Sequence, residues 1–221
     1  MSTIFKGSGV ALVTPFTNGE VDYTALTRLI ELQIISGTDA IIVCGTTGEA
    51  ATLTPEERLE VIRFVVDRVN RRLPVIAGTG GNNTAAVIDF SRTAEALGVD
   101  GLLIVTPYYN KTTQKGLVAH YGAICEQVHI PIIVYNVPSR TGLNVLPATM
   151  REIMETCENV VGIKEASGNI EQIVNLAALC PGLDIYSGND DHILPVLSVG
   201  GRGSCITMSS AMTSNPLCPR K

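Results

Sequence analysis

The sequence predicts an α/β fold, and within that class it best fits the (β/α)8 arrangement of the TIM barrel. Short apolar runs alternate along the chain with longer amphipathic runs, eight of the first kind and seven of the second. The short runs are apolar almost throughout, which is typical of strands buried on both faces of a parallel sheet. A doubly wound open sheet is the alternative that the same alternation allows.

Each predicted strand is a short apolar run bounded by polar or turn-forming residues. In chain order the runs are Val10–Pro15, Ala40–Cys44, Pro74–Ala77, Gly101–Thr106, Pro131–Tyr135, Val160–Lys164, Asp184–Ser187 and Gly203–Thr207. After the last run, residues 209–221 are rich in small residues and proline and have no helical pattern. We therefore expect a barrel domain over residues 1–208 that lacks its eighth helix, followed by an atypical C-terminal tail at 209–221.

The runs between the strands have apolar residues at helical spacing. One helix has a particularly clear start: Thr54 can cap it, Pro55 suits its first position, and Glu56 and Glu57 lie in its first turn. The other predicted helices are Tyr23–Ser36, Thr84–Leu97, Gln114–Val128, Pro147–Cys157, Ile170–Cys180 and His192–Val199.

Composition and charge exclude several classes of protein. Of the 221 residues, 45% are hydrophobic and 17% are charged, which indicates a globular chain with a large core. The net charge of -5 is spread along the chain without a basic run, so we expect neither nucleic acid nor a membrane as a partner. No signal peptide and no apolar stretch of membrane-spanning length is recognisable, and we expect a cytoplasmic location.

The cysteines and histidines do not form a recognisable metal-binding pattern. The six cysteines are scattered without a C-x-x-C pair, so we expect free thiols in a reducing compartment. His120, His129 and His192 have no ligand spacing to one another or to the cysteines. The sequence therefore predicts no metal site and no cofactor.

Polar motifs follow the carboxyl ends of several predicted strands. A closed barrel brings these ends together at one face, where the active sites of such barrels lie. The sequence therefore predicts a single site at that face. The motifs are Gly45–Glu49, Gly78–Gly80, Thr106–Asn110, Tyr135–Arg140, Lys164–Glu165 and Ser187–Asp190.

Lys164 ends the sixth predicted strand and is the strongest candidate for a catalytic residue. Burial at the rim of an apolar barrel lowers the pKa of an amine, and a neutral amine can attack a ketone to form a Schiff base. The ordinary alternative is a surface lysine paired with Glu165. We favour the nucleophile because the other polar motifs would surround the same rim.

Further residues suit a keto-acid substrate. Thr46 and Thr47 can bind a small carboxylate, although an ordinary turn explains their motif equally well. Tyr135 ends the fifth strand, where its hydroxyl can relay protons to the Lys164 amine or simply belong to the core. Arg140 can hold a second carboxylate with two hydrogen bonds, or form a surface salt bridge.

Four motifs together resemble the dihydrodipicolinate synthase family, which belongs to the pyruvate-dependent class I aldolases. The match runs in order from about Phe5 to Gly203, and the family's final helices have no counterpart beyond it. The resemblance implies that pyruvate condenses with L-aspartate 4-semialdehyde to 4-hydroxy-tetrahydrodipicolinate, in lysine biosynthesis by the diaminopimelate route. The motifs are Gly45–Glu49, Thr106–Asn110, Tyr135–Gly142 and Gly162–Glu165.

The resemblance also implies roles for residues around the nucleophile. Lys164 would form the imine with pyruvate. Thr47 and Tyr135 would form a proton relay with Tyr109, which in this family reaches into the site of the neighbouring subunit. Thr46 and Thr47 would hold the pyruvate carboxylate.

Three more positions follow from the same resemblance. Arg140 would hold the semialdehyde carboxylate at the entrance, Gly188 falls where the family has a backbone contact near the site, and Ile206 falls near the isoleucine that follows the eighth-strand glycine motif.

The family usually forms tetramers built from tight dimers, so we expect a homo-oligomer. Asn82 and Tyr108 remain from the family's lysine-inhibition site, but its acidic and histidine partners are missing. Lysine feedback is therefore expected to be weak or absent.

Two alternatives keep part of this interpretation. The imine chemistry would also serve an aldolase or lyase that acts on a sugar acid, as in N-acetylneuraminate lyase, although the Arg140 loop favours the synthase. A barrel shortened at its C-terminus would also be compatible with an inactive protein that serves binding or assembly.

Overall fold

The computed structural model describes residues 3–206, and within that range eight parallel strands close into a barrel. Each strand pairs with its neighbours in chain order, and the first strand pairs with the last. This closure confirms the predicted barrel and excludes the open sheet. The barrel strands are Gly7–Ala11, Ala40–Val43, Val75–Gly78, Gly101–Val105, Ile132–Asn136, Val160–Glu165, Asp184–Ser187 and Gly203–Ile206.

A helix follows each of the first seven barrel strands, as predicted. The second helix begins with a capping box, in which the Thr54 hydroxyl accepts from the Glu57 N–H at 3.2 Å and the Glu57 carboxylate accepts from the Thr54 N–H at 2.8 Å. The predicted tail at 209–221, and with it the expected lack of an eighth helix, lies outside the described residues. The seven helices are Tyr23–Ile35, Pro55–Val69, Thr84–Ala96, Gln114–Cys125, Pro147–Thr156, Ile170–Leu179 and Ile193–Ser198.

The first strand lies earlier in the chain than predicted, at Gly7–Ala11 instead of Val10–Pro15. The first residues of this strand are small instead of large and apolar. There is no space for a side chain at Gly9, because a Cβ there would lie 2.7 Å from the Phe5 ring and 2.9 Å from the Ile42 side chain. The ring of Phe5 occupies the space that a larger strand residue would fill. Apolar character alone therefore misplaced this strand.

Four short elements were not predicted from the sequence. The strands Phe16–Thr17 and Glu20–Val21 form an antiparallel hairpin outside the barrel. Pro138–Thr141 forms one helical turn after the fifth barrel strand, and Asp190–His192 forms a 3-10 turn before the seventh helix. Such short turns carry too few residues to show a periodic apolar pattern.

The hydrophobic core has two layers, as expected for a closed barrel. The larger layer lies between the strands and the helices. The smaller layer fills the barrel interior and includes Ile42, Ile76, Leu103 and Ile133. At the amino end of the barrel, Phe5 stacks on Tyr186 with ring centroids 4.5 Å apart. This end of the barrel is therefore packed with side chains, and the open cavity lies at the carboxyl end.

Candidate active site

The carboxyl ends of the strands surround a cavity of about 830 Å³. Its lining contains seven of the eight residues that the sequence predicted for the site. They come from loops and strand ends far apart in the sequence, and the closed barrel brings them together. The seven residues are Thr46, Thr47, Tyr135, Arg140, Lys164, Gly188 and Ile206.

Lys164 points into this cavity from the sixth strand, and only 7% of its surface is exposed. It pairs in register with Tyr135 on the fifth strand, and its amine lies 4.5 Å from the centre of the Tyr135 ring. Burial lowers the pKa of the Lys164 amine; the neighbouring Cys205 thiol opposes this shift, and the positive charge of Arg140 adds to it. The amine is therefore neutral more often than that of a surface lysine.

Glu165 is not an ion-pair partner of Lys164, because successive side chains of a strand point to opposite faces. The buried Glu165 carboxylate accepts hydrogen bonds from the side-chain amides of Asn136 and Gln172, each at 3.0 Å, and from the Ser167 N–H at 2.6 Å. The surface salt bridge considered as the ordinary alternative is therefore wrong. Glu165 instead ties the fifth and sixth strands to the helix that follows.

Gly188 leaves room for the lysine side chain. A Cβ at Gly188 would lie 3.2 Å from Cε of Lys164 and 2.7 Å from Cβ of Ala166. The Gly188 N–H donates to the Glu165 carbonyl at 2.8 Å, which holds the seventh-strand loop close to the sixth strand. A glycine is thus required here by close approach rather than by its backbone angles.

Tyr135 is buried beside Lys164, and burial raises the pKa of its phenol. A hydrogen bond from the Thr46 side chain and the charge of Arg140 both oppose that increase. The phenol thus has Thr46 as a hydrogen-bond partner, and the sequence-based assignment of Thr47 to the relay stays a prediction. We therefore place Thr46 next to Tyr135 in the site, with Thr47 further along the same turn and also in the cavity lining.

The turn that carries the two threonines is shaped by its flanking residues. Cys44 has a positive φ of 53°, which turns the chain sharply after the second barrel strand. At Gly48 a Cβ would lie 3.0 Å from the Leu12 carbonyl, and the Thr14 hydroxyl donates to the Gly48 carbonyl at 2.7 Å. These contacts fix the turn against the end of the first strand, so that both threonines face the cavity.

Arg140 lies on the helical turn Pro138–Thr141, at the exposed rim of the cavity. Gly142 ends this turn in the left-handed region, with φ 67°. Asn136 accepts from the Val145 N–H at 3.0 Å and anchors the far end of the loop. An arginine held in this way can clamp a carboxylate at the entrance.

Tyr109 is the one predicted site residue outside the cavity lining. Its side chain is 92% exposed and its backbone has a positive φ of 69°, which is uncommon for a tyrosine. The neighbouring Tyr108 lines a smaller pocket together with Gly78 and Gly80, and this pocket adjoins the main cavity at Thr46 and Tyr135. The Gly78–Gly80 and Thr106–Asn110 motifs therefore border the main site instead of forming it.

Several lining residues were not assigned a role from the sequence. Cys205 faces Lys164, and burial raises the pKa of its thiol to about 12. Asp191 and His192 line the mouth of the cavity with Asp190, and Nδ1 of His192 is buried without a hydrogen-bond partner. The motif Ser187–Asp190 indicated this loop, but no spacing rule identifies which of its side chains face inward.

Neither a metal site nor a membrane span is found in the part of the chain that the structure describes. Among residues 3–206, no three His, Cys, Asp or Glu side chains come together in a way that could hold a metal ion. Across the same residues, no helix combines the length and apolar character needed to cross a bilayer.

Comparison with known proteins identifies the family. The model of the dihydrodipicolinate synthetase family matches residues 4–216. The 4-hydroxy-tetrahydrodipicolinate synthase of Clostridium novyi is 59% identical over 202 residues, which cover 91% of this chain and 68% of that protein.

Solved structures give the same result. Dihydrodipicolinate synthase from Aquifex aeolicus superposes with a TM-score of 0.91 and 46% identity, covering 94% of this chain and 71% of that one. The chloride-inhibited enzyme from Acinetobacter baumannii, solved as a complex with pyruvate, has a TM-score of 0.91 and 43% identity, covering 96% of this chain and 74% of that one. The chain belongs to the dihydrodipicolinate synthetase family.

Proposed function

We propose that this chain catalyses the 4-hydroxy-tetrahydrodipicolinate synthase reaction, the condensation of pyruvate with L-aspartate 4-semialdehyde, through an imine on Lys164. The observation that carries the proposal is the position of the Lys164 amine, buried in the cavity and 4.5 Å from the centre of the Tyr135 ring. Membership of the family supports it, as does the pyruvate complex of the Acinetobacter baumannii enzyme.

The first half of the reaction needs a bound keto acid and a neutral amine. Thr46 and Thr47, with the N–H groups of their turn, hold the pyruvate carboxylate. The Lys164 nitrogen then attacks the ketone carbon, and the carbonyl oxygen leaves as water after it has been protonated. Tyr135, hydrogen-bonded to Thr46, supplies and recovers these protons.

The second half needs an electrophile held near the resulting enamine. Loss of a methyl proton from the imine gives a nucleophilic carbon, which attacks the aldehyde of the second substrate. Arg140 at the rim binds the carboxylate of that substrate, and the backbone at Gly188 and Ile206 borders the same space. The amino group of the semialdehyde then displaces Lys164 from the imine carbon, which closes the ring and frees the enzyme.

The proposal includes a homo-oligomer in the cytoplasm. Tyr109 is 92% exposed on its own chain, where it is free to reach a neighbouring subunit and complete that subunit's proton relay. If so, Tyr109→Phe lowers turnover while each subunit still binds pyruvate. Sedimentation of the purified chain, with and without pyruvate, tests the oligomeric state, and a purely monomeric chain with full turnover contradicts it.

The proposed function is tested by trapping the imine. Incubation with pyruvate and borohydride is expected to add a reduced pyruvate group to the tryptic peptide that contains Lys164. Lys164→Met should abolish the adduct, whereas Lys111→Met, a change at an exposed lysine outside the main cavity, should not. An adduct on another lysine, or none, overturns the proposal.

Turnover separates the substrates. Aspartate semialdehyde should be consumed much faster than sugar-derived aldehydes when each is mixed with pyruvate and the chain. The reverse order identifies an aldolase that acts on sugar acids. A trapped adduct without condensation on any aldehyde identifies an inactive barrel.

A further inference from the structure

Two thiols meet at the amino end of the barrel, opposite the active site. Cys125 is the last residue of the helix Gln114–Cys125, and Cys157 directly follows the helix Pro147–Thr156. The two thiols are close enough to shift each other's pKa, and Cys157 is almost fully buried whereas Cys125 is partly exposed. The pair plays no part in the proposed reaction.

The surrounding structure holds the two cysteines close. The helices pack directly against each other: a Cβ at Gly122, one turn before Cys125, would lie 3.7 Å from the methyl group of Thr156. The Asn159 amide donates to the Val128 carbonyl at 2.8 Å and so ties together the two segments that follow the cysteines. The packing of the two helices and the hydrogen bond between the segments that follow them therefore hold the thiols close together.

The pair is also open to small molecules. Both cysteines line a cleft of about 420 Å³, together with Glu126, His129 and Glu158. The interaction with Cys125 lowers the pKa of Cys157, against the effects of burial and of the Glu126 charge, and the interaction with Cys157 raises the pKa of Cys125. Cys157 is thus the more easily ionised of the two, and the thiolate is the form that reacts with oxidants.

The other described cysteines are differently placed. Cys44 and Cys180 donate to the backbone carbonyls of Arg58 and Pro147, and Cys205 faces Lys164 inside the barrel. Burial raises the pKa of Cys44 and of Cys205 to about 12, and also raises that of Cys180. Oxidation is therefore expected to favour the pair at the amino end.

We propose that Cys125 and Cys157 form a reversible disulfide when the chain meets a hydroperoxide. The Cys157 sulfur attacks the peroxide, the O–O bond breaks, and a sulfenic acid forms with release of water from hydrogen peroxide. The Cys125 sulfur then attacks the sulfenic sulfur, and the hydroxyl group leaves with the Cys125 proton as a second water. A dithiol reductant reverses the bond by exchange.

Peptide mapping after treatment with hydrogen peroxide tests this proposal. Arg140 and Arg151 lie between the two cysteines, so trypsin separates Cys125 from Cys157 unless a disulfide joins them. The expected product is one linked peptide pair, lighter by two hydrogen atoms than its parts, that dithiothreitol returns to free thiols. Cys180→Ser should retain this link, and Cys125→Ser and Cys157→Ser should lose it.

The same experiment also has outcomes that contradict the proposed disulfide. Addition of oxygen atoms to Cys157 without a link to Cys125 overturns the proposal, as does preferential linkage to any other cysteine, Cys218 included. The experiment needs no catalytic activity, so its outcome is independent of the proposed function. Circular dichroism before and after oxidation verifies that the link forms in the folded chain; a link found only after unfolding also overturns the proposal.

Discussion

The amine of Lys164 lies 4.5 Å from the centre of the Tyr135 ring, on the adjacent strand and in the same register. A cation over an aromatic ring is attracted by it, which partly offsets the cost of burying the charged form. Burial nevertheless dominates, because the pKa of Lys164 is lowered overall. The same neighbour therefore restrains the amine in position, and in the proposed mechanism its hydroxyl transfers the protons.

Imine formation should depend on pH through Lys164. The trapping rate is expected to rise with pH and to level off below the ordinary lysine pKa of about 10.4, because burial lowers the pKa of this amine. Arg140→Ala removes a positive charge and should move the midpoint to higher pH. Arg151→Ala, on an outer helix, should leave it unchanged. A profile that still rises steeply through the ordinary value would falsify the buried nucleophile.

Replacing the buried lysine should stabilise the fold. Between its lowered pKa and the ordinary value, the unfolded chain binds a proton that the folded chain does not, so the free energy of unfolding rises with pH in that window. Lys164→Met removes the buried amine, and we expect about 1–3 kcal/mol more stability near neutral pH. Urea unfolding measures the change. The pH dependence in this window should also become weaker; a variant that is less stable and keeps that dependence contradicts the account.

Gly188→Ala should displace the nucleophile. The added methyl group meets Ala166 at 2.7 Å and Cε of Lys164 at 3.2 Å, so either the lysine or the loop must move. We expect a stability loss of about 1–3 kcal/mol and a much slower trapping rate. Gly122→Ala is the matched control, because its new Cβ would make only an ordinary contact at 3.7 Å with Thr156. Equal trapping rates in the two variants would show that Gly188 does not shape the lysine site.

The hydrogen bond between Tyr135 and Thr46 should matter for proton transfer more than for binding. Tyr135→Phe is expected to lower kcat about 10²–10⁴-fold, the usual contribution of general acid–base catalysis. Thr46→Val should lower kcat in the same direction, and the double variant should lose less than the product of the single effects because the two groups act as a unit. Thr47→Val should instead raise KM for pyruvate. Steady-state kinetics distinguish the two threonines. A larger kcat loss for Thr47→Val than for Thr46→Val would show that Thr47 is the threonine of the proton relay.

The buried Glu165 carboxylate should stabilise the frame of the site. Glu165→Ala removes one acceptor from each of the amides of Asn136 and Gln172, which then keep only the Asn144 oxygen, at an expected cost of about 1–3 kcal/mol in unfolding free energy. Glu165→Gln keeps one acceptor and should lose less. Glu171→Gln, in the first turn of the following helix, is the control. If Glu165→Ala unfolds at the same urea concentration as this control, the hydrogen-bond network contributes nothing to stability.

Periodicity along the chain was enough to predict the alternation of strands and helices, and with it the barrel. Apolar runs such as Pro131–Tyr135 are long enough and uniform enough to be recognised locally, as is the capped start of the helix at Pro55. The positions of Lys164 and Tyr135 at strand ends also predicted that both would line the candidate site, and both line the cavity. These features depend on neighbours along the chain, which periodicity and capping rules describe.

Other features depend on contacts between residues that are distant in sequence, and these contacts are seen only in the folded barrel. The first strand begins at Gly7, and within it Phe5 and Ile42 leave no room for a side chain at Gly9. Barrel closure likewise brings Thr46 to the phenol of Tyr135. Such contacts are selected by packing and hydrogen-bond geometry across the barrel, and no local pattern in the chain carries that information.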